Sequence, residues 1–269
     1  MTANGVMRLA SPRDKSQVEH LLRTGFGDEE EFLRAFFDHL YGHCETVLSM
    51  DEGSAAAMTA LIPCKVSQPG QPLQDALYLY SLTTLPSFRG RGHAQKLLDA
   101  ARQKCSRVFL HAASDSLFRM YAARGWRSMM HARWQEAPAA SPAFPIIPQS
   151  GTQYLEKREQ LLQNTPHIVW DEATGRFLHD LLCGYDGGLY AGKDSIAAVL
   201  ERSDDGCLCL AEALGRNAAP LAQSLAHTHA CEKVRTLTPC TADTPGAFPY
   251  AQGIGDEIPD PIQLSFVFL

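Results

Sequence analysis

The sequence predicts an α/β protein made of two similar halves, and three observations support this. The chain has 269 residues, enough for one large domain or two small ones at roughly 100–200 residues per domain. The order of helices, strands, helix and strand occurs twice, as expected where helices pack on a sheet. Residues 137–148, between the two occurrences, contain four prolines and are typical of a linker. We therefore predict domains at residues 1–136 and 151–269, joined by a linker at residues 137–150.

The first half alternates helices and strands. Its predicted elements are helix 14–24, helix 28–41, strand 46–50, strand 55–62, strand 76–85, helix 95–104, strand 107–112 and helix 114–124. Gly25 and Gly27 are expected to end the first helix, and Gly125 the last. Acidic residues 28–31 fill the first turn of the second helix, where the helix dipole favours negative charge. Residues 51–53 read as a hairpin turn.

The second half repeats this order with different residues. Its predicted elements are helix 153–163, helix 172–183, strand 188–191, strand 195–202, strand 206–213, helix 220–231 and strand 262–269. Turn residues separate the three short strands. The repetition is one of secondary structure and not of sequence.

Composition narrows the function classes. The chain has 24 basic and 30 acidic residues, a net charge of −6, so it lacks the basic excess typical of proteins that bind duplex nucleic acid. Its first 15 residues contain no apolar stretch of a secretory signal. The longest uncharged apolar run, residues 54–64, is shorter than the ~18 residues of a membrane span. We therefore expect a cytoplasmic protein without nucleic-acid or membrane partners.

No pattern of cysteine and histidine predicts a metal site. The eight cysteines are expected to be buried or free thiols: they are Cys44, Cys64, Cys105, Cys183, Cys207, Cys209, Cys231 and Cys240. No second pair stands at zinc-ribbon spacing from the pair Cys207 and Cys209. His39 and His43 are four residues apart, but no glutamate lies between them to act as a base. His227 and His229 are expected at the surface.

Residues 77–127 contain the pattern that predicts a functional site. A strand there leads through a glycine-rich turn into a helix, and the first N–H groups of a helix bind anions. Gly90 and Gly92 would let the backbone approach a phosphate closely. A dinucleotide fingerprint would require a third glycine where Gln95 stands. A Walker motif requires Ser or Thr after Gly-Lys, and the nearest match fails at Asp194.

These residues resemble the GCN5-related N-acetyltransferase (GNAT) family. The run Arg89-Gly90-Arg91-Gly92-His93-Ala94 is similar to the R/Q-x-x-G-x-G/A motif of that family. Residues 117–126 are similar to its second signature, in which a helix ends in Tyr121, followed by Gly125 and Trp126. The two motifs occur in the family's order, about one strand apart. The resemblance covers residues 75–130 by motif and residues 5–75 by the order of elements.

The resemblance implies the mixed-sheet GNAT fold and acetyl-coenzyme A as the co-substrate. Main-chain groups on the central strand would contact the pantetheine arm, and those of the loop would wrap the pyrophosphate. The cofactor-binding residues implied in this way are Leu82, Thr83, Thr84, Arg89, Gly90, Arg91, Gly92, His93 and Ala94. A larger residue at Gly92 should block the approach of the phosphates.

Amide formation requires a neutral amine and a proton for the leaving thiolate. The resemblance assigns the thiolate acid to the hydroxyl of Tyr121. The family often places a glutamate base on the central strand, and this sequence has none there. Tyr78, Tyr80 or Ser81 could position a water instead, or the carboxylate of Leu269 could act. The sequence leaves the base unassigned.

The second half resembles a degenerate GNAT domain that lacks the loop. It would cover the first half and shape the acceptor pocket; an unrelated α+β domain is the alternative. Glu212 is a candidate polar group on its central strand, or an ordinary sheet-edge glutamate. Trp170, Tyr185 and Tyr190 would line a cleft between the halves or belong to the core.

The sequence thus predicts an N-acetyltransferase that moves an acetyl group to a primary amine, with Tyr121 as general acid. The alternative is a non-catalytic sensor or scaffold that binds coenzyme A, and a longer acyl donor is also compatible with the motifs. The amine could belong to a small molecule or a peptide. Oligomeric state stays open.

Overall fold

A computed structural model describes residues 6–27 and 29–255 of the chain. The strands are β1 (Val6–Leu9), β2 (Glu45–Asp51), β3 (Ser54–Ser67), β4 (Gln74–Thr84), β5 (Val108–His111), β6 (Arg127–Pro138), β7 (Ile147–Pro148), β8 (His167–Val169), β9 (Gly188–Gly192), β10 (Ser195–Arg202), β11 (Cys207–Gly215), β12 (Lys233–Cys240) and β13 (Phe248–Ile254). The α-helices are α1 (Lys15–Phe26), α2 (Glu30–Ala35), α3 (His93–Lys104), α4 (Asp115–Ala122), α5 (Gly151–Leu162), α6 (Glu172–Gly184) and α7 (Ala218–Thr228).

The strands form one mixed sheet, which confirms the predicted α/β class. Their order is β1-β2-β3-β4-β5-β13-β6-β12-β11-β10-β9-β7, and β8 pairs with β3. The pairs β4–β5 and β11–β12 are parallel. A helix follows the first strand of each parallel pair, α3 in one half and α7 in the other, because a parallel connection needs a crossover.

The two halves exchange strands at the centre of the sheet. β13, at the end of the described chain, lies between β5 and β6. β6 in turn pairs with β12 of the second half. The strand order therefore reads as two series, β1 to β5 on one side and β7 with β9 to β12 on the other, which meet at β13 and β6. Residues 248–254 thus lie next to first-half strands, and the domain boundaries drawn from the sequence stay a prediction.

The first helix runs past one of the glycines expected to end it. Gly25 lies inside α1, and the helix ends at Phe26, where Gly27 caps it in the left-handed conformation (φ 68°). A Cβ on Gly25 would lie 2.0 Å from Oγ1 of Thr83. Gly25 therefore permits close packing of α1 on β4. The prediction that Gly25 ends the helix is wrong.

The second predicted helix is divided. α2 covers residues 30–35, and a turn of π-helix follows at Phe36–Leu40. Two histidines of this region bind carboxylates of the second half: Nε2 of His39 lies 2.7 Å from Asp180, and Nε2 of His43 lies 2.5 Å from Asp171. Asp28, the expected start of the helix, is outside the described residues.

The largest core contains residues from both halves. Phe32 and Tyr78 of the first half pack there with Trp170 and Phe177 of the second. Trp170 stands edge-on to Tyr78, with ring centroids 5.8 Å apart, so Trp170 is a core residue. A second core joins the other face of β4 and β5 to α3 and α4. A third lies under α7 and includes Tyr190 at its margin.

Several strands have no counterpart among the predicted elements. They are β1, β6, β7, β8, β12 and β13, whereas the last predicted strand, residues 262–269, is outside the described residues. All eight cysteines are free thiols. Across residues 6–27 and 29–255, every helix is too short or too polar to cross a bilayer.

Candidate active site

The central feature of the site is a gap between two parallel strands. β4 and β5 pair at only two positions, Leu77 with Val108 and Tyr78 with Phe109. Beyond them β4 carries a β-bulge at Ser81, whose φ is +52°. Bulges bend a strand and disrupt its ladder. The gap therefore opens at the carboxyl ends of β4 and β5, where open α/β sheets commonly bind ligands.

A cavity of about 630 Å³ occupies this gap. It is lined from one face of the sheet by Tyr78, Tyr80 and His111, and from the other by Leu79, Leu110 and Tyr121. Side chains alternate between the faces of a strand, so a cavity that touches both sets passes through the sheet. A donor and an acceptor could therefore meet there from opposite sides.

Aliphatic and aromatic side chains form the outer wall of the cavity. The second-half residues that line it are Leu178, Leu181, Leu182, Tyr185, Leu200, Glu201 and Ala211. Phe26 and Phe32 add to this wall from the first half. Glu201 is exposed at its margin. Tyr185 thus lines a cleft between the halves, one of the two positions foreseen for it.

The glycine-rich loop follows β4, one of the two strands that border the gap, and has an open backbone. Gly90 (φ 78°) and Gly92 (φ 84°) are both left-handed, and a Cβ on either would meet no heavy atom within 4 Å. α3 begins at His93, and Gly92, as its N-cap, supplies no side-chain cap. The first turn of α3 therefore keeps N–H groups available for an anion, in the space that a side chain would otherwise occupy.

The arginines of the loop are bound to the protein. The guanidinium of Arg91 lies 3.3 Å from both Asp51 and Glu52 and 4.9 Å from the ring centre of Phe88. Nε of Arg89 donates to the carbonyl oxygen of Thr84 at 3.2 Å. These side chains brace the loop, which leaves main-chain groups as its principal anion donors.

His93 anchors the start of α3 inside the protein. Its Nδ1 lies 2.9 Å from Oγ of Ser49 and its Nε2 3.2 Å from Asp51. Ser, His and Asp in series can form a nucleophile, but Ser49 is completely buried. A substrate cannot reach it, so the series holds the loop against the β2–β3 hairpin.

Tyr121 is only 5% exposed and lines the cavity near the end of α4. Burial raises the pKa of its hydroxyl to about 12, and the nearby Arg124 opposes this shift. The phenol therefore stays protonated at neutral pH and can donate a proton or a hydrogen bond. Its ring packs against Trp126 at a centroid distance of 6.0 Å.

Three of the four groups considered as the base line the cavity: Tyr78, Tyr80 and Ser81. Burial raises the pKa of Tyr78 well above its usual value, which makes it a poor base. Leu269 lies outside the described residues. His111, which no sequence motif identified, also lines the cavity. Its position at the end of a strand, next to a turn, was the signal that could have identified it.

Glu212 belongs to the interior of the second half. It is completely buried with Arg158, whose Nε lies 3.1 Å from its Oε1, and the hydroxyl of Tyr154 donates to the same oxygen at 3.1 Å. Nη1 of Arg158 also donates to the carbonyl of Ile168 at 2.7 Å. The expectation of a sheet-edge glutamate is therefore wrong: β11 lies inside the sheet.

One family model matches most of the first half of the chain. Residues 6–129 match the family described as "Acetyltransferase (GNAT) domain". No curated protein sequence matches the chain.

Solved structures share the fold over nearly the whole chain. A probable N-acyltransferase of unknown function from Enterococcus faecalis V583 aligns with a TM-score of 0.70 and 13% identity, covering 92% of this chain and 71% of that one. A GCN5-related N-acetyltransferase from Anabaena variabilis ATCC 29413 gives 0.67 and 17%, covering 92% and 72%. A tandem GNAT protein from the clavulanic acid biosynthesis pathway gives 0.52 and 12%, covering 93% and 96%.

Proposed function

We propose that this chain, whose residues 6–129 match the GNAT acetyltransferase domain, moves an acetyl group from acetyl-coenzyme A to a primary amine. One observation carries the proposal. A loop with an open, left-handed backbone at the start of α3 follows β4, and β4 lines a cavity that passes through the sheet beside Tyr121. An anion site next to a buried proton donor suits a phosphorylated thioester donor.

The donor side of the proposal rests on main-chain groups. The N–H groups from Arg89 to Ala94 would bind the pyrophosphate, because α3 starts there without a side-chain cap. Leu82, Thr83 and Thr84 follow the bulge of β4, where the ladder with β5 has ended. Their main-chain groups would contact the pantetheine arm.

The reaction needs three contributions from the protein. The amine nitrogen attacks the thioester carbonyl, a C–N bond forms and the C–S bond breaks. The nitrogen must lose a proton, and the sulfur must leave as a thiol. Tyr121 would donate the proton to the sulfur, because its raised pKa keeps the hydroxyl protonated at neutral pH.

The acceptor side favours an amine with an apolar body. Leucines of α6, together with Phe26, Phe32 and Tyr185, wall the cavity, and burial of apolar surface is worth about 25 cal/mol per Å². The exposed Glu201 at the margin is the charged group in this wall within the described residues. Arylalkylamines and alkylamines fit this lining better than polyamines or sugars.

Calorimetric titration with acetyl-coenzyme A tests the donor site. Wild type should bind at micromolar concentration and Gly92→Glu should not, because the new carboxylate would occupy phosphate space. Gly206→Glu is the matched control, since Gly206 is also left-handed (φ 75°) and faces open space far from the loop. Folded wild-type protein without binding would overturn the proposal.

A screen of amines by mass spectrometry then distinguishes an N-acetyltransferase from a non-catalytic sensor. Acetylation of 2-phenylethylamine or hexylamine in preference to spermidine is the expected result. Comparison of acetyl, propionyl and succinyl donors defines the acyl group. Binding of acetyl-coenzyme A without acetylation of any amine would favour the non-catalytic sensor.

A further inference from the structure

We propose that His111 is the general base that takes the proton from the attacking amine. This inference rests on the proposed function and deepens it, because the central strand lacks the glutamate that the family often places there and burial makes Tyr78 a poor base. Three features of His111 carry it: the tautomer, the neutral state at working pH and the position relative to Tyr121.

The tautomer follows from a single contact. Nδ1 of His111 lies 2.5 Å from the main-chain carbonyl oxygen of Tyr250 on β13. A carbonyl only accepts hydrogen bonds, so Nδ1 must carry the hydrogen. In the neutral ring Nε2 then holds the free lone pair. Within the described residues Nε2 has no hydrogen-bond partner, and the ring lines the cavity.

The charge state is set by burial. Removal from solvent lowers the pKa of His111 below its usual value of about 6.5, and the hydrogen bond to Tyr250 partly opposes this. The imidazole is therefore neutral at pH 7 and able to accept a proton. The other titratable residues that line the cavity are Tyr78, Tyr80, Tyr121, Tyr185 and Glu201.

The position separates the base from the acid. His111 follows Leu110 on β5, so the two side chains lie on opposite faces of the sheet. Leu110 shares the core of Tyr121 and α3, whereas Phe109 shares the core of α2 and α6. His111 therefore lies on the same side as the apolar wall proposed for the amine. Tyr121 lies on the other side, where the thiol would leave.

The proton balance is complete with these two residues. His111 takes one proton from the amine as its nitrogen bonds to the acetyl carbon. Tyr121 gives one proton to the sulfur as the C–S bond breaks. The products are a neutral amide and a thiol, and exchange with solvent returns both side chains to their starting states.

The test is a pH profile of kcat for His111→Asn, with 2-phenylethylamine or whichever screened amine wild type acetylates fastest. Asparagine can still donate to the Tyr250 carbonyl but lacks Nε2. We expect kcat to fall about 10²–10⁴-fold at pH 7. Wild type should lose activity as the pH falls through the pKa of His111, which burial places below the usual value for histidine. The variant should lack this limb, and its kcat should rise toward the amine's own pKa of about 10.4.

His229→Asn is the matched control. Burial also lowers the pKa of His229, but this residue lies outside the cavity, so kcat and its acid limb should be unchanged. Thermal melting and titration with acetyl-coenzyme A check that His111→Asn is folded. If it is not, His111→Gln takes its place, and NMR of the wild-type imidazole nitrogens reports tautomer and pKa independently.

The outcomes separate the two proposals. Wild type that binds acetyl-coenzyme A but acetylates no amine overturns the proposed function. Active wild type whose acid limb persists in folded His111→Asn or His111→Gln overturns the role of His111 alone. A wild-type NMR spectrum with the proton on Nε2 overturns it as well.

Discussion

The segment from β4 to α3 and the segment from β11 to α7 occupy corresponding places in the two halves of the sheet. They differ in the length over which their parallel strands pair. β4 and β5 pair at two positions before they separate, whereas β11 and β12 pair at four, from Cys207 with Lys233 to Leu210 with Thr236. The longer ladder closes the second half where the first half has a gap.

The turns into the two helices differ in the same way. Gly90 and Gly92 face open space, but a Cβ on Gly215 would lie 2.2 Å from the carbonyl oxygen of Asp194. Asn217, the N-cap of α7, donates to the carbonyl oxygen of Lys193 at 2.8 Å. The turn between β9 and β10 therefore occupies the place that an anion would need.

Buried charge differs as well. The second half contains Glu212 and Arg158, completely buried against each other, whereas the first half places His111 and Tyr121 around a cavity. The comparison shows that the topology is common to both halves. The two halves differ instead in where the parallel strands stop pairing and in whether the turn before the helix is open.

The buried ion pair should have the largest effect on stability. Glu212→Leu leaves the Arg158 charge without its partner in the interior, and we expect the free energy of unfolding to fall by about 3–5 kcal/mol. The double variant Glu212→Leu with Arg158→Met should recover most of this loss. Urea unfolding measures both. Equal losses in the single and double variants would show that volume, and not charge, holds the second half together.

Tyr121→Phe should separate chemistry from binding in the first half. We expect kcat to fall at least about 100-fold, while affinity for acetyl-coenzyme A changes little. Burial raises the pKa of Tyr121 to about 12. Deprotonation of its hydroxyl should therefore cause no loss of wild-type activity below about pH 11. Tyr190→Phe, in the second half, is the control. An unchanged kcat in Tyr121→Phe would remove the acid role.

Alanine at Gly92 and at Gly215 should have opposite consequences. Both glycines have positive φ, which costs about 1–2 kcal/mol for another residue. Gly215→Ala adds a clash with Asp194 and should lower the melting temperature more, with unchanged affinity for acetyl-coenzyme A. Gly92→Ala should weaken binding about tenfold or more. Loss of binding in Gly215→Ala would mean that the second half takes part in the donor site.

The smallest effect is expected where the two halves meet at the surface. Glu136 of β6 accepts from Arg235 of β12 at 2.6 Å and lies 3.6 Å from Lys233. These groups are solvated, and exposed pairs contribute little. Thermal melting of Glu136→Gln should differ only slightly from wild type, and less at high salt. A large loss would show that charge, and not the β6–β12 ladder, joins the halves.

Helices and locally paired strands could be predicted, but long-range strands could not. α3, α6 and the β2–β3 hairpin have local signals in the form of apolar spacing and turn residues. β13 contains Pro249 and Gly253, which disfavour strands. The structure explains Gly253, since a Cβ there would lie 1.6 Å from Sδ of Met129. Its partner β5 is about 140 residues away, so no local pattern could reveal the pairing.

The glycine-rich loop could be predicted from its motif, whereas the proposed base could not. The motif fixes residues 89–94 because the backbone conformation there requires glycine. His111 gains its tautomer from Tyr250, which is distant in the sequence. The apolar wall of the cavity likewise comes from α6 of the other half. Properties that depend on such contacts are encoded only by the complete fold.

The central position of β13 has a consequence for protein synthesis. Residues 248–254 leave the ribosome after every other described element, yet they lie between β5 and β6. Until then β5 has an unpaired edge, which can pair with other chains. The nascent first half would already carry its donor loop and Tyr121, but His111 would lack the carbonyl that orients it. The proposed activity should therefore begin only after residues 248–254 have left the ribosome and paired with β5.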